Sequence, residues 1–128
     1  MLKERAEAYY KQGYNCAETM IRAANDEYNL GLDDNAMKLT AGFGGGMGCG
    51  KACGALTGSA CAISAKLVET KANQAPELRA KITALVAAFN RILGDTECKN
   101  LTIKYKNPEC GCLKTVLLAC EALEAAMQ

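Results

Sequence analysis

The sequence predicts an all-α fold: a single-domain bundle of five to six helices, with a glycine-rich loop ahead of a central small-residue helix. Three observations carry this. Apolar residues recur at helical spacing along most of the chain. Asparagine, aspartate, proline and glycine stand where helices start and stop. Alternating runs of β-branched and aromatic residues are essentially absent. At 128 residues the chain is one ordinary domain, residues 1–128. It is long enough to bury roughly two thirds of its unfolded surface without staples.

The first helix runs from Leu2 to Gln12, with Leu2, Ala6, Tyr9 and Tyr10 on one side and Gly13 as its stop. Asn15 caps a second helix reaching to about Tyr28, where Cys16, Thr19, Met20 and Ala23 share a side. Leu30-Gly31-Leu32 breaks the chain. Asp33 or Asp34 then caps a short third helix from about Asn35 to Phe43. Six of the nine residues from Gly42 to Gly50 are glycine, which suits neither helix nor strand. Such a segment marks unusual φ values or close backbone approach.

A long helix follows, from about Lys51 to Thr70. Its Ala52, Ala55, Gly58, Ser59 and Ala62 predict neighbours pressed tightly against it. Pro76 suits the first turn of a further helix that ends near Leu93, with Gly94 just beyond. Ile82, Leu85, Val86, Phe89 and Leu93 form its expected buried stripe. Asp95 or Thr96 caps a short turn holding Cys98, and Leu101 to Asn107 reads as irregular or briefly extended. Pro108 opens the last helix, to about Met127, with Val116, Leu117, Cys120, Leu123 and Ala126 as its apolar face.

Charge excludes several classes of function. With 15 basic and 14 acidic residues the net charge is +1, so nothing attracts nucleic acid or an anionic membrane. The uncharged, glycine-rich stretch Leu39 to Gly50 is too short to span a bilayer. No apolar export segment follows Met1-Leu2-Lys3-Glu4-Arg5, so a cytoplasmic location is expected. In that compartment cysteines are seldom structural disulfides.

Eight cysteines and no histidine point to sulfur chemistry. Cys16, Cys53, Cys98 and Cys112 each fall close to an expected helix start. There the unpaired N–H groups and the positive end of the helix dipole favour a thiolate. Cys61 and Cys120 lie within apolar runs and read as core. Cys49 and Cys110, just before Cys53 and Cys112, read as bystanders, substitute ligands or resolving thiols. Cys53 is the first choice as nucleophile, because the helix start and nearby Lys51 both lower a thiol pKa. Tyr9, Tyr10 and Tyr14 lie near Cys16. They read chiefly as half-buried tyrosines, with a phenol-to-thiolate hydrogen bond as the alternative. Glu18, Asp26 and Glu27 read as solvated charge.

Common motifs are missing. There is no C-x-x-C, and the lack of histidine removes Cys₂His₂ zinc and Cys–His pairs. Gly44-Gly45-Gly46-Met47-Gly48 with Lys51 fails the phosphate-loop pattern, and no strand precedes it.

Cys53-Gly54-Ala55-Leu56-Thr57-Gly58 is C-G-A-x-x-G, preceded by the glycine-rich stretch. With Tyr14-Asn15-Cys16 upstream and two later cysteines, the chain resembles the C_GCAxxG_C_C family of redox-active proteins from about Tyr14 to Ala126. By position the resemblance assigns the motif cysteines to Cys16, Cys53, Cys98 and either Cys110 or Cys112. Cys112 fits better, because Cys112-Leu113-Lys114-Thr115-Val116 leads into a helix as the family's last cysteine does. Some members carry an export signal that is not seen here, and this chain has more cysteines than the pattern needs.

Two mechanisms and one plain alternative follow. In the first, clustered thiolates perform thiol–disulfide exchange or electron transfer with a redox partner protein or small thiol. Whether that makes the chain a thiol–disulfide oxidoreductase stays open. In the second, Cys16, Cys53, Cys98 and Cys112 form a Cys₄ set for zinc or an iron–sulfur cluster. In the third, the chain is a helical interaction module with structural cysteines. An amphipathic first helix also makes a homodimer an expectation.

Overall fold

The computed structural model describes residues 1–128. It is all-helical, with seven helices rather than five to six: α1 (Leu2–Lys11), α2 (Cys16–Tyr28), α3 (Asp34–Met37), α4 (Gly54–Leu67), α5 (Leu78–Leu93), α6 (Cys98–Tyr105) and α7 (Leu113–Met127). A 3₁₀ segment, Lys38–Phe43, continues α3, and Gly46–Gly50 is a wide irregular turn. The only extended pairings are the isolated bridges Ala52 to Glu97 and Asn107 to Gly111.

α2 lies against α1 and α4, and α5 against α7, while α1 and α4 also touch α7. Leu2, Met20, Ile63, Leu85, Phe89 and Leu123 are fully buried between them. Each such side chain contributes about 1.5–3 kcal/mol by leaving water. Val86 lies outside this core, contrary to the expected α5 stripe, while Ala88 is buried. Cys120 is core; Cys61 is only half-buried at the cluster's edge.

The α2 start is built as its sequence dictates. The Asn15 side chain accepts from the Glu18 N–H at 3.0 Å, and the Glu18 carboxylate accepts from the Asn15 N–H at 3.0 Å. This reciprocal box satisfies two otherwise orphaned donors. The Asn15 amide also donates to the Ala41 carbonyl at 3.0 Å, tying the helix start to the segment ahead of the glycine turn. Asn15→Ala is expected to cost about 1–2 kcal/mol, read as a lower thermal midpoint, with Asn15→Asp retaining most of the cap. The other two acids of α2 are paired too: Glu27 meets Arg5 and the N-terminal amine, and Asp26 accepts from the Tyr9 hydroxyl.

Three boundaries differ from expectation. α4 begins at Gly54 instead of Lys51, because residues 51–53 are drawn into the bridge with 96–98, and it ends at Leu67. Cys98–Tyr105 is a helix where an irregular piece was expected, anchored by Leu101. Pro108 does not start α7. It sits in a turn closed by hydrogen bonds in both directions between Asn107 and Gly111, and α7 begins at Leu113.

Candidate functional site

Cys16 is the first residue of α2, Cys98 the first of α6, and Cys53 and Cys112 immediately precede α4 and α7. All four line one cavity of about 470 Å³. Four sulfurs separated by 14 to 96 residues of chain (112 − 98 and 112 − 16) therefore share one wall of the molecule.

Backbone contacts assemble them. The Cys53 N–H donates to the Thr96 carbonyl at 2.8 Å and the Cys98 N–H to the Lys51 carbonyl at 2.6 Å, so a single bridge couples the α4 and α6 starts. Gly46 closes the irregular turn over this bridge at φ +62. A Cβ there would fall 2.6 Å from the Cys98 Cβ and 2.6 Å from the Lys51 nitrogen, so only glycine fits. On the other side, C-G-A-x-x-G lets α4 lie on the start of α2. A Cβ at Gly58 would meet the Ala17 carbonyl oxygen at 2.5 Å, and one at Gly54 the Ala17 nitrogen at 3.3 Å. That approach brings Cys16 beside Cys53. Tyr10 of α1 fixes the last sulfur: the Cys112 N–H donates to its hydroxyl at 2.7 Å.

The sulfurs are electrostatically unequal. The neighbouring Cys16 thiol favours the Cys112 thiolate and holds the Cys112 pKa down to about 6; burial opposes the shift and the Lys106 ammonium assists it. The same pairing with Cys112, then burial, pushes the Cys16 thiol well above the ordinary range. Cys53 is also pushed up, to about 11, because burial outweighs the facing N–H groups of Ala55 and Leu56. Those amides favour its thiolate without closing a short cap hydrogen bond. The expectation that helix start and Lys51 would lower the Cys53 pKa is thus reversed: Cys53 is only 4 % exposed, and Lys51 does not line the cavity.

Cys49 and Cys110 are exposed and lie outside the cavity. Cys110 sits on the Asn107–Gly111 turn, its N–H donating to the Asn107 side chain at 2.7 Å. Cys120 is deep in the core, where burial raises its thiol to about 12. Residues that the sequence did not single out also line the cavity, notably Thr102 and Lys106. Thr102 lies 3.7 Å from the Cys98 sulfur. Their only advance signal is helical spacing from Cys98, which is visible once α6 is known to be a helix.

All eight cysteines are free thiols. No group of three or more Cys, Asp or Glu side chains converges closely enough to hold a metal ion. A tetrahedral thiolate site needs sulfurs roughly 3.5–4 Å apart around one point, as metal–sulfur bonds near 2.3 Å require. These donors do not form that set, so neither zinc nor an iron–sulfur cluster fits them as they stand. No helix is long and apolar enough to cross a membrane.

No curated protein and no solved structure matches the chain. A family model does match, over residues 14–126, which takes in all four cavity cysteines, the glycine turn and the C-G-A-x-x-G segment. The chain belongs to the family described as Putative redox-active protein (C_GCAxxG_C_C).

Proposed function

We propose that the protein carries out thiol–disulfide exchange, with Cys112 as the attacking thiolate and Cys16 as the resolving thiol. The observation that carries this is the placement of Cys16 and Cys112 together on the wall of one cavity of small-molecule size, where Cys16 favours the Cys112 thiolate. The Cys112 thiol is held below the ordinary range, whereas those of Cys16 and Cys53 are pushed above it. The Cys112 thiolate attacks one sulfur of an oxidised partner. The partner's S–S bond breaks, one thiolate leaves and takes up a proton, and a mixed disulfide remains on Cys112.

The first step activates the second. The largest cause holding the Cys16 proton is its pairing with the Cys112 thiolate. Forming the mixed disulfide consumes that thiolate, so Cys16 loses its proton more easily afterwards. Its sulfur then attacks Cys112 and expels the partner's second sulfur as a thiol. Two cysteines are oxidised to one disulfide, and one partner disulfide becomes two thiols.

The test is stoichiometric. Reduced protein treated with a small disulfide should lose two thiols per chain, counted after denaturation, with no disulfide-linked dimer on a non-reducing gel. Cys112→Ser should abolish the loss. Cys16→Ser should stop at a stable mixed disulfide, visible as added mass. Equal oxidation in the Cys112→Ser protein would defeat the assignment.

A further inference from the structure

We infer that the oxidised partner is a small anionic disulfide, the disulfide of a low-molecular-weight thiol bearing a carboxylate, with Lys106 binding that carboxylate. This rests on the exchange chemistry proposed above and names its substrate. The first observation is the cavity. At about 470 Å³ it falls within the ~300–1,000 Å³ of ordinary small-molecule sites. The reacting sulfurs lie inside it, half-buried or buried, whereas a disulfide held within a folded partner protein meets exposed sulfur most readily. The thiols this chain exposes, Cys49 and Cys110, are outside the cavity.

The second observation is charge. Among the lining residues Lys106 is the one that carries a permanent charge, and none is a carboxylate. Lys106 makes no ion pair within the chain. Lys106 is exposed and has no carboxylate partner, so beyond supporting the Cys112 thiolate its ammonium can attract an anion to a cavity that holds no carboxylate. Tyr10, Tyr14 and Leu101 supply apolar surface for the rest of a short molecule.

The reaction balances as R–S–S–R plus two cysteine thiols giving one protein disulfide and two R–SH, where R carries the carboxylate. The first R–S⁻ leaves when Cys112 attacks and takes a proton from water. The second leaves when Cys16, deprotonated, attacks Cys112.

Three probes of similar size separate charge from reactivity: dithiodipropionate (anionic), bis(hydroxyethyl) disulfide (neutral) and cystamine (cationic). Each oxidation rate of the full reduced chain is divided by that probe's rate with mercaptoethanol. At low salt the normalised rate for dithiodipropionate should exceed that for cystamine by about tenfold, a partly exposed charge contributing a few-fold in each direction. The ratio should shrink as salt is raised. Lys106→Gln slows every probe, because Lys106 also supports the Cys112 thiolate, so the readout is the ratio between probes. That ratio should fall to about one in Lys106→Gln and invert in Lys106→Glu. Equal normalised rates in the native protein, or a ratio unchanged in Lys106→Gln, would overturn the anionic substrate while leaving the exchange chemistry standing. Failure of all three probes to oxidise Cys112 would overturn both.

Discussion

At pH 6 Cys112 is expected to react with a small disulfide or alkylating agent about tenfold faster than the unperturbed cysteine of a short model peptide. With a pKa of about 6, half of Cys112 is thiolate there. An ordinary thiol with a pKa of roughly 8.5 is ionised to about 0.3 %. The roughly 150-fold advantage in thiolate is reduced some 13-fold by the weaker nucleophilicity of a low-pKa sulfur. At pH 8 the advantage disappears, because the ordinary thiols ionise while Cys112 is already saturated. The selectivity therefore grows as pH falls, and the profile is more informative than any single rate.

The cause of the shift is testable by the same profile. Cys16→Ala removes the thiol that favours the Cys112 thiolate, leaving burial and Lys106 opposed, so the midpoint should climb by a unit or more. Cys16→Ser keeps an O–H donor, and the midpoint should stay low. Site-resolved alkylation followed by mass spectrometry measures both. A Cys112 midpoint of 8 or higher in the native protein would contradict the assignment of the thiolate.

Gly58→Ala is expected to destabilise the protein by about 2 kcal/mol or more. Two terms compete. Replacing a mid-helix glycine by alanine ordinarily gains roughly 1 kcal/mol through helix propensity. Overpacking costs about 1–3 kcal/mol, and more when the obstructing atoms are rigid. Here the new methyl would lie 2.5 Å from the Ala17 carbonyl oxygen and 2.9 Å from its Cα, both backbone atoms of α2. No side chain can rotate away, so α2 and α4 must part and the second term wins. For a chain of this size the loss corresponds to a fall of roughly 6–10 °C in thermal midpoint. Gly42→Ala is the matched control: its Cβ meets nothing within 4 Å and its φ is ordinary, so it should be close to neutral. Because α2 and α4 carry Cys16 and Cys53, the Gly58→Ala protein should also lose part of the Cys16 effect on Cys112.

The helical class, the Asn15 cap, the Gly94 stop and the placement of Cys16, Cys53, Cys98 and Cys112 near helix starts were legible because each depends on local chemistry. Asn15 with Glu18 writes a capping box into four residues, and Gly94 takes φ +91 just after α5. What was not legible depends on partners distant in sequence. α6 is eight residues long with one buried residue, Leu101, too little periodicity to separate it from an irregular segment. The bridge between Ala52 and Glu97 is one residue pair, and nothing local encodes it. It nevertheless shortens α4 at its start and sets Cys53 beside Cys98.

The ranking of the thiols was missed for a related reason. A helix start lowers a thiol pKa only while the sulfur remains hydrated. The same packing that brings Gly54 and Gly58 against Ala17 buries Cys53, and burial then dominates. Cys112 keeps more solvent and has its thiolate favoured by Cys16, a residue 96 positions away (112 − 16). Neither fact is visible in the residues that flank it.

Peptide mapping of the protein after one equivalent of a small disulfide oxidant tests the shared cavity and its reactive pair most directly. Digestion without reduction, followed by mass spectrometry, should recover Cys16 joined to Cys112 as the dominant intramolecular link, with Cys49, Cys61, Cys110 and Cys120 still free. A dominant link through Cys49 or Cys110, or oxidation that joins two chains while Cys16 and Cys112 remain thiols, would contradict it.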